Sequence, residues 1–338
     1  MKINQNNRQK SPRKKKERKN SESMLGHALN GMITIILAGL LVWGYECCFA
    51  SDLKFAQVSD AHFSTRNVNT SFKLIAESPK LLDDAISQIN EIPDIDFVMF
   101  SGDLIDKSFE KELQAVLPHV ENLKYPWYFV FGNHDPCVGG YLTKKLYLEI
   151  LRNHNSNFTA KKPYYSFVPQ KGYKVIGLDS IIDTRITANG EIDAEQMKWL
   201  DEELSKSKKD VVLIFVHVPI IEPFPSEGHR LLNAGEVQAL IEKYKNPIAV
   251  FQGHYHANKI TQHNNVLYVS SPSLVSYPNA FRIVTVRNEK RKVIFDIQQK
   301  NVRDENVRTL AKMMVFSSNL FTGEPKDQNG VFEIKKNR

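Results

Sequence analysis

Asp60-x-His62, Asp103, Asn133-His134-Asp135, His217 and His254-x-His256 each follow a short apolar run, in that order along the chain. Carboxylate, amide and imidazole donors of this kind suit Mn, Fe, Zn or Co and argue against a calcium or thiolate site. Cys47, Cys48 and Cys137 are the three cysteines and form no CxxC pair, which argues against a thiolate zinc site and a disulfide framework. Singly, each motif is weak, because Asp-x-His arises by chance and a lone histidine is more often structural. Their succession after five strand ends is what points to a metal centre. Five of the ten histidines fall in these segments. His27, His119, His154, His229 and His263 do not and read as surface or core residues, with His229 set apart because it falls in a candidate pocket loop.

The elements that must position these residues are legible in the pattern of apolar residues. Leu53 to Val58, Ile95 to Phe100, Trp127 to Phe131, Val211 to Val216 and Ile248 to Phe251 read as strands feeding the five motifs. Loops at the carboxyl ends of strands are where α/β folds gather their sites. Glycine before Asp103, Asn133 and His254 lets the backbone turn sharply there, and alternation could aim both side chains of Asp60-x-His62 and of His254-x-His256 to one side. Helices are predicted at Ser78 to Asn90, with Ser78 as cap, at Phe109 to Asn122, Asp193 to Ser205 and Glu236 to Tyr244. Strands near Tyr164–Val168 and Tyr173–Leu178 precede the fourth motif. Short strands near Lys259–Thr261, Val266–Ser270, Phe281–Val286 and Val293–Ile297 follow the fifth. The order is βαβαβ early and hairpin-like late, which gives an α/β domain with mixed sheets and not an all-parallel one.

The five blocks together resemble the signature of calcineurin-like metallophosphoesterases, over about Leu53 to Val286. Within that superfamily, Gly102-Asp103-Leu104-Ile105-Asp106 and the single-domain layout are similar to the class III cyclic-nucleotide phosphodiesterase group. The resemblance implies a four-layer αββα sandwich with two mixed β-sheets. It implies that Asp60, His62 and His256 hold one metal, that Asn133, His217 and His254 hold a second, and that Asp103 bridges them. His134 would face the substrate as general acid, oriented by Asp135. The implied reaction is hydrolysis of a small phosphoester, a phosphodiester first, by a water that two metals activate. The alternatives are a phosphomonoesterase, a nucleotide or lipid-headgroup phosphohydrolase, and a metal-dependent binding protein without turnover. Val218 departs from the pattern, since many relatives carry a second histidine there; His217-Val218-Pro219 keeps the His-x-Pro spacing and so the ligand. Substrate choice would lie in the loops Phe63–Pro79, Pro136–Tyr141, Ile221–Ala234 and Ser271–Ala280.

The 338 residues carry a formal net charge of +7, but residues 1–50 hold nine Lys/Arg against three Glu, which leaves the remainder near neutral. The body therefore lacks the basic excess of a nucleic-acid binder, and no nucleic-acid partner is expected. A basic run at Arg13-Lys14-Lys15-Lys16 precedes an uncharged apolar stretch, 28–45, which is the order of a signal peptide or signal anchor. The expected organisation is 1–50 as the export or anchor segment, 51–298 as the metallophosphoesterase domain and 299–338 as an extension, loose after Thr322. Cys48-Phe49-Ala50 and the immediate start of the body favour cleavage after Ala50, while the long basic n-region keeps an uncleaved membrane anchor open. Either way the body should lie outside the cytoplasm. A carboxyl-terminal reporter that works only outside the cytoplasm is expected to be active; a silent fusion that fractionates as soluble cytoplasmic protein would contradict this.

Overall fold

The computed structural model describes residues 51–70, 72–136 and 142–336. The expectations for residues 1–50, for Cys137 and for most of the Pro136–Tyr141 loop lie outside these residues. Among the described residues no helix is long and apolar enough to cross a membrane.

The chain runs β1 (Leu53–Val58), α1 (Ser78–Glu91), β2 (Phe97–Phe100), α2 (Glu110–Val120), β3 (Trp127–Phe129), α3 (Lys144–His154), β4 (Tyr165–Phe167), β5 (Tyr173–Gly177), α4 (Ala194–Lys206), β6 (Val211–Val216), α5 (Ala234–Glu242) and β7 (Ile248–Gln252). It continues through β8 (Lys259–His263), β9 (Val266–Ser270), β10 (Ala280–Asn288), β11 (Lys292–Asn301), α6 (Glu305–Met314), α7 (Ser318–Thr322), α8 (Pro325–Gln328) and β12 (Asn329–Lys335). One six-stranded sheet has the order β12-β11-β10-β1-β2-β3 and the other β4-β5-β6-β7-β9-β8. β1, β2 and β3 are parallel, and β10 to β12 join them antiparallel to one another. β5, β6, β7 and β9 are parallel, with antiparallel β4 and β8 at the edges.

The strand sequences explain the layering. In β6, Val211, Leu213 and Phe215 belong to the core between the sheets, while Val212, Ile214 and Val216 belong to the core under the helices. A strand buried on both faces must be apolar throughout, and Val-Val-Leu-Ile-Phe-Val is. Between the sheets, Phe55 of β1 meets Phe251 of β7 edge-on at 5.1 Å and Phe215 at 5.5 Å. Aromatic side chains of the two sheets thus lock them face to face. The result is a four-layer αββα sandwich of two mixed sheets.

Two local expectations need correction, and one helix has no counterpart in the sequence reading. Ser78 does not cap α1; its hydroxyl donates to the Ile75 carbonyl at 2.7 Å and accepts from Ser64 N–H at 2.9 Å. Helix α3 was not foreseen, although its signals are in the sequence: Thr143 caps it, and Tyr147, Leu148 and Leu151 form a buried helical stripe. The segment after Thr322 is not loose, because β12 pairs along β11, with Val293 opposite Ile334 and Ile297 opposite Gly330. Only Ile334 of β12 is buried. That strand is made by pairing and not by its own apolar content, so hydropathy could not reveal it.

Arg282 of β10 is fully buried and binds this carboxyl-terminal segment to the body. Its guanidinium donates to the Asp327 carbonyl at 2.9 Å, the Ser270 carbonyl at 2.9 Å and Asn258 Oδ1 at 2.7 Å. Removing the donor strands several buried acceptors at once. Arg282→Met is therefore expected to lower unfolding free energy by about 3 kcal/mol or more, measured by denaturant titration; a change within about 0.5 kcal/mol would show that the three segments hold together without it.

Candidate metal centre

The candidate ligands leave their strands at one end of the sandwich. Asp60 and His62 follow β1, Asp103 follows β2, Asn133 and His134 follow β3, His217 follows β6, and His254 and His256 follow β7. Neither x-spaced pair is extended. Asp60, His62, Asp103, His254 and His256 all have left-handed backbone, with φ of 52°, 40°, 52°, 72° and 56°. Such backbone is unfavourable for residues with a Cβ, costing on the order of 1 kcal/mol each, and it persists where the surroundings over-determine it. The sharp turns are thus made largely by the ligands themselves and not by alternation. Of the preceding glycines, Gly102 does take positive φ, 95°, and a Cβ there would stand 2.3 Å from His217 Nδ1. Gly132 has a different reason: a Cβ would stand 2.2 Å from Asp103 Oδ1. It is required for close approach and not for a turn.

The geometry forms two overlapping groups. Asp60, His62 and His256 offer ligand atoms within 4.8 Å of one another, and so do Asp103, His217 and His254. Asp103 Oδ2 lies between them, 3.5 Å from His62 Nε2 and 3.4 Å from His217 Nε2. Asp60 Oδ1 is 3.2 Å from His256 Nε2, and His62 Nε2 is 3.3 Å from His256 Nε2. A third group, His62, Asp103 and His134, also meets the 4.8 Å limit.

The outer nitrogens fix which atoms point inward. His217 Nδ1–H donates to the Ser101 carbonyl at 2.9 Å, so its Nε2 faces the carboxylates. His256 Nδ1 is tied to Ser276 Oγ at 2.8 Å. Asp60 Oδ1, Asn133 Oδ1, His217 Nε2 and His254 Nε2 are buried without a hydrogen-bond partner. Orphaned polar atoms of this kind cost about 1–3 kcal/mol each, and those of Asp60, His217 and His254 belong to the two clustered groups, as the donor set of a cation would. The residues present therefore fit transition-metal ions, with second-sphere bonds that aim each imidazole.

The electrostatics agree. Burial works against charge on Asp103, yet His217 and His134 hold its carboxyl well below the usual range. Asp60 is lowered too, against burial, by His256 and His217. Burial drives His62 and His254 well below the ordinary histidine value, with Lys73 adding to the effect on His62 and His217 on His254. Both are therefore neutral imidazoles with a lone pair to give. His217 goes the other way: burial disfavours its charge, but Asp103 and Asp60 raise it to about 9. A cation and a proton compete for that Nε2.

Asp135 does not orient His134. Its carboxylate accepts from Asp103 N–H and Gly132 N–H at 2.8 Å, Leu104 N–H at 3.0 Å, Ile105 N–H at 3.3 Å and Tyr147 Oη–H at 3.2 Å. Burial, with the charge of Asp103 second, outweighs the opposing pull of the backbone donors and raises it to about 7. It clamps the β2 and β3 loops together and so holds Asp103. His134 is oriented by Asp106 instead, its Nδ1–H donating to the Asp106 carbonyl at 2.8 Å. Its Nε2 is 3.3 Å from Lys73 Nζ. Lys73 is a residue that sequence reasoning missed, since a single lysine in a loop carries no pattern. Burial lowers its pKa while Asp103, Asp106 and Asp60 resist.

A cavity of about 320 Å³ opens on the cluster, lined by Asp103, Asn133, His134, His254 and His256 together with Lys73 and His229. His229, from the nominated Ile221–Ala234 loop, has its ring 5.3 Å from that of His254. The other described histidines outside the motifs are in surface pairs, His119 with Asp83, His154 with Glu121 and His263 with Glu242. A larger cavity of about 680 Å³ lies at the opposite ends of β6 and β7, around Lys208, Lys209 and Pro247, and holds none of the candidate ligands.

Two facing mixed sheets with an Asp/His cluster at their strand ends are the architecture of a dinuclear phosphoesterase. The chain belongs to the calcineurin-like phosphoesterase family, whose model matches residues 53–258, and it is a metal-dependent hydrolase of phosphoric ester bonds. A relative from Fibrobacter succinogenes named "Probable cyclic nucleotide phosphodiesterase" is 27% identical, over 68% of this chain and 82% of that protein. The glycerophosphodiester phosphodiesterase of Enterobacter lignolyticus is 25% identical, over 65% of this chain and 77% of its own length. Among solved structures, a dimetal phosphatase from Danio rerio shares the fold with a TM-score of 0.57, at 16% identity over 74% of this chain and 99% of that one.

The cluster sets a stoichiometry. The body loaded with excess Mn is expected to retain about two ions per chain, and Asp103→Asn, which removes the shared carboxylate charge, to lose most of both. Elemental analysis after desalting decides it; one ion or none in the parent would overturn the two-group reading.

Proposed function

We propose that the chain hydrolyses a small phosphodiester at a dinuclear centre of Mn, Fe, Zn or Co. Asp60, His62 and His256 would hold one ion and Asn133, His217 and His254 the other, with Asp103 available to both. The observation that carries this is that Asp60, His62 and His256, and Asp103, His217 and His254, bring ligand atoms within 4.8 Å of one another, with Asp103 Oδ2 between the two groups and with Asp60 Oδ1, Asn133 Oδ1, His217 Nε2 and His254 Nε2 buried without a hydrogen-bond partner. The preference for diesters is supported by relatives named for cyclic nucleotide and glycerophosphodiester substrates.

Two bound divalent cations would supply charge neutralisation for the ester and an acidified water. The chain's own residues do the rest. Lys73 brings a further positive charge to the cavity, where an anionic ester must enter. His134, with Nδ1 committed to the Asp106 carbonyl, presents Nε2 to the cavity. There it can hold a proton for the departing ester oxygen. Lys73, 3.3 Å from that Nε2, stabilises the neutral imidazole left after the transfer by donating to its lone pair. Arg66 pairs with Asp106 and fixes the loop that carries the orienting carbonyl. The basic and apolar amino-terminal stretch supports export or anchoring of the enzyme outside the cytoplasm, with the membrane as partner if the segment is retained.

The test separates acid catalysis from metal binding. His134→Ala is expected to keep both ions and to lose about 10²–10⁴-fold in turnover on a diester with a poor leaving group, and much less on bis(4-nitrophenyl) phosphate. If the variant loses metal as Asp103→Asn does, His134 is a ligand and the acid role is wrong. Activity confined to monoesters across a broad panel would reject the diester assignment.

A further inference from the structure

Besides the candidate ligands, the 320 Å³ cavity is lined by Phe72, Phe224, Tyr255 and Phe321. Phe224 packs edge-on between two of the others, 5.1 Å from the Tyr255 ring at 72° and 6.0 Å from the Phe321 ring at 84°. Phe72 lies across the metal loop, its ring 5.8 Å from that of His256. Phe321 comes from α7, beyond the family match that ends at residue 258.

Phe321 is nonetheless registered to the ligand loop. Its carbonyl accepts from Asn258 N–H at 3.0 Å, two residues after His256. Asn258 Oδ1 in turn accepts from buried Arg282 at 2.7 Å, and the same guanidinium holds the Asp327 carbonyl beyond Phe321. Gly323 completes the fit. It has φ of 67°, and a Cβ there would stand 2.5 Å from the Asn258 carbonyl. The chain therefore returns to the site at a fixed distance and presents a ring there.

We infer that Phe321, Phe224 and Tyr255 form a stacking subsite for one organic arm of the phosphoester, and that this arm is a neutral planar aromatic group of nucleobase size. This rests on the phosphoesterase reading of the metal centre. Three features select the arm. Rings in edge-to-face array favour another π-system, which can add an offset stack or a further edge contact. A cationic headgroup is disfavoured by Lys73, whose ammonium is 5.7 Å from the Phe72 ring centre inside the same cavity. The volume of about 320 Å³ is at the small end of ligand sites, which run from about 300 to 1,000 Å³, and so suits a compact arm.

Non-hydrolysable phosphonates test the arm without requiring turnover. Phenylphosphonate and methylphosphonate are titrated by calorimetry into the Mn-loaded full-length protein. The parent is expected to bind phenylphosphonate about tenfold or more tightly than methylphosphonate, the scale of one aromatic stack. Phe321→Ala should lose most of that preference while methylphosphonate affinity, metal content and melting temperature stay as in the parent. Phe321→Leu, which keeps apolar bulk without the π-face, is the second variant if alanine unfolds the segment, and it too should lose most of the preference. Equal affinities in the parent, or an unchanged preference in the folded variant, would overturn the subsite. Failure of the phosphoesterase reading is separately visible as no hydrolysis of bis(4-nitrophenyl) phosphate by the Mn-loaded parent.

Discussion

Two carboxylates and four imidazoles buried within a few ångströms of one another are the constraint on which this structure depends. Asp60 and Asp103 are almost wholly inaccessible to water, and taking such charges out of water is costly unless positive charge answers them. The imidazoles cannot all answer, because burial drives His62 and His254 neutral. His217, raised to about 9 by Asp103 and Asp60 against burial, can carry a proton at neutral pH. The site is therefore assembled to hold more negative and lone-pair character than its own side chains neutralise, which is the condition for binding divalent cations.

Holding that assembly together falls to groups that touch no cation. Asp135 takes four backbone N–H groups and a tyrosine hydroxyl and so fixes the loops after β2 and β3. The carbonyls of Ser101 and Asp106 set the inward nitrogens of His217 and His134. Five of the candidate ligands sit in left-handed backbone, a local strain that the surrounding hydrogen bonds and the packed sheets offset. Gly102 and Gly132 allow the loops to approach closely enough for this to happen.

The second half of the chain closes the sandwich and reshapes the mouth of the site. β10 and β11 extend the first sheet, and β12 comes back along β11 to finish it. Between these strands the chain crosses to the ligand loop, where Arg282 and Asn258 receive it. A stretch with little apolar content of its own is thereby made part of the site, and Phe321 is the contact it contributes.

The sequence alone determined the metal chemistry and the strands that carry it. Oxygen and nitrogen donors at the ends of apolar runs are a local signal, and runs such as Val211 to Val216, buried on both faces, can hardly be anything but inner strands. It also determined the fold class, through the order of strands and helices and through the five motif blocks. Tertiary structure alone decided what each neighbour of the ligands does. Asp135, adjacent to His134 in sequence, binds the backbone of two loops, while the group that orients His134 is the carbonyl of Asp106. Lys73 and Phe321 reach the cavity from segments with no motif, and β12 exists only because β11 offers it an unpaired edge. Such roles depend on distances between residues remote in sequence, which periodicity and spacing do not encode. The left-handed backbone of Asp60, His62, Asp103, His254 and His256 is of the same kind, since local preference opposes it and only the assembled site sustains it.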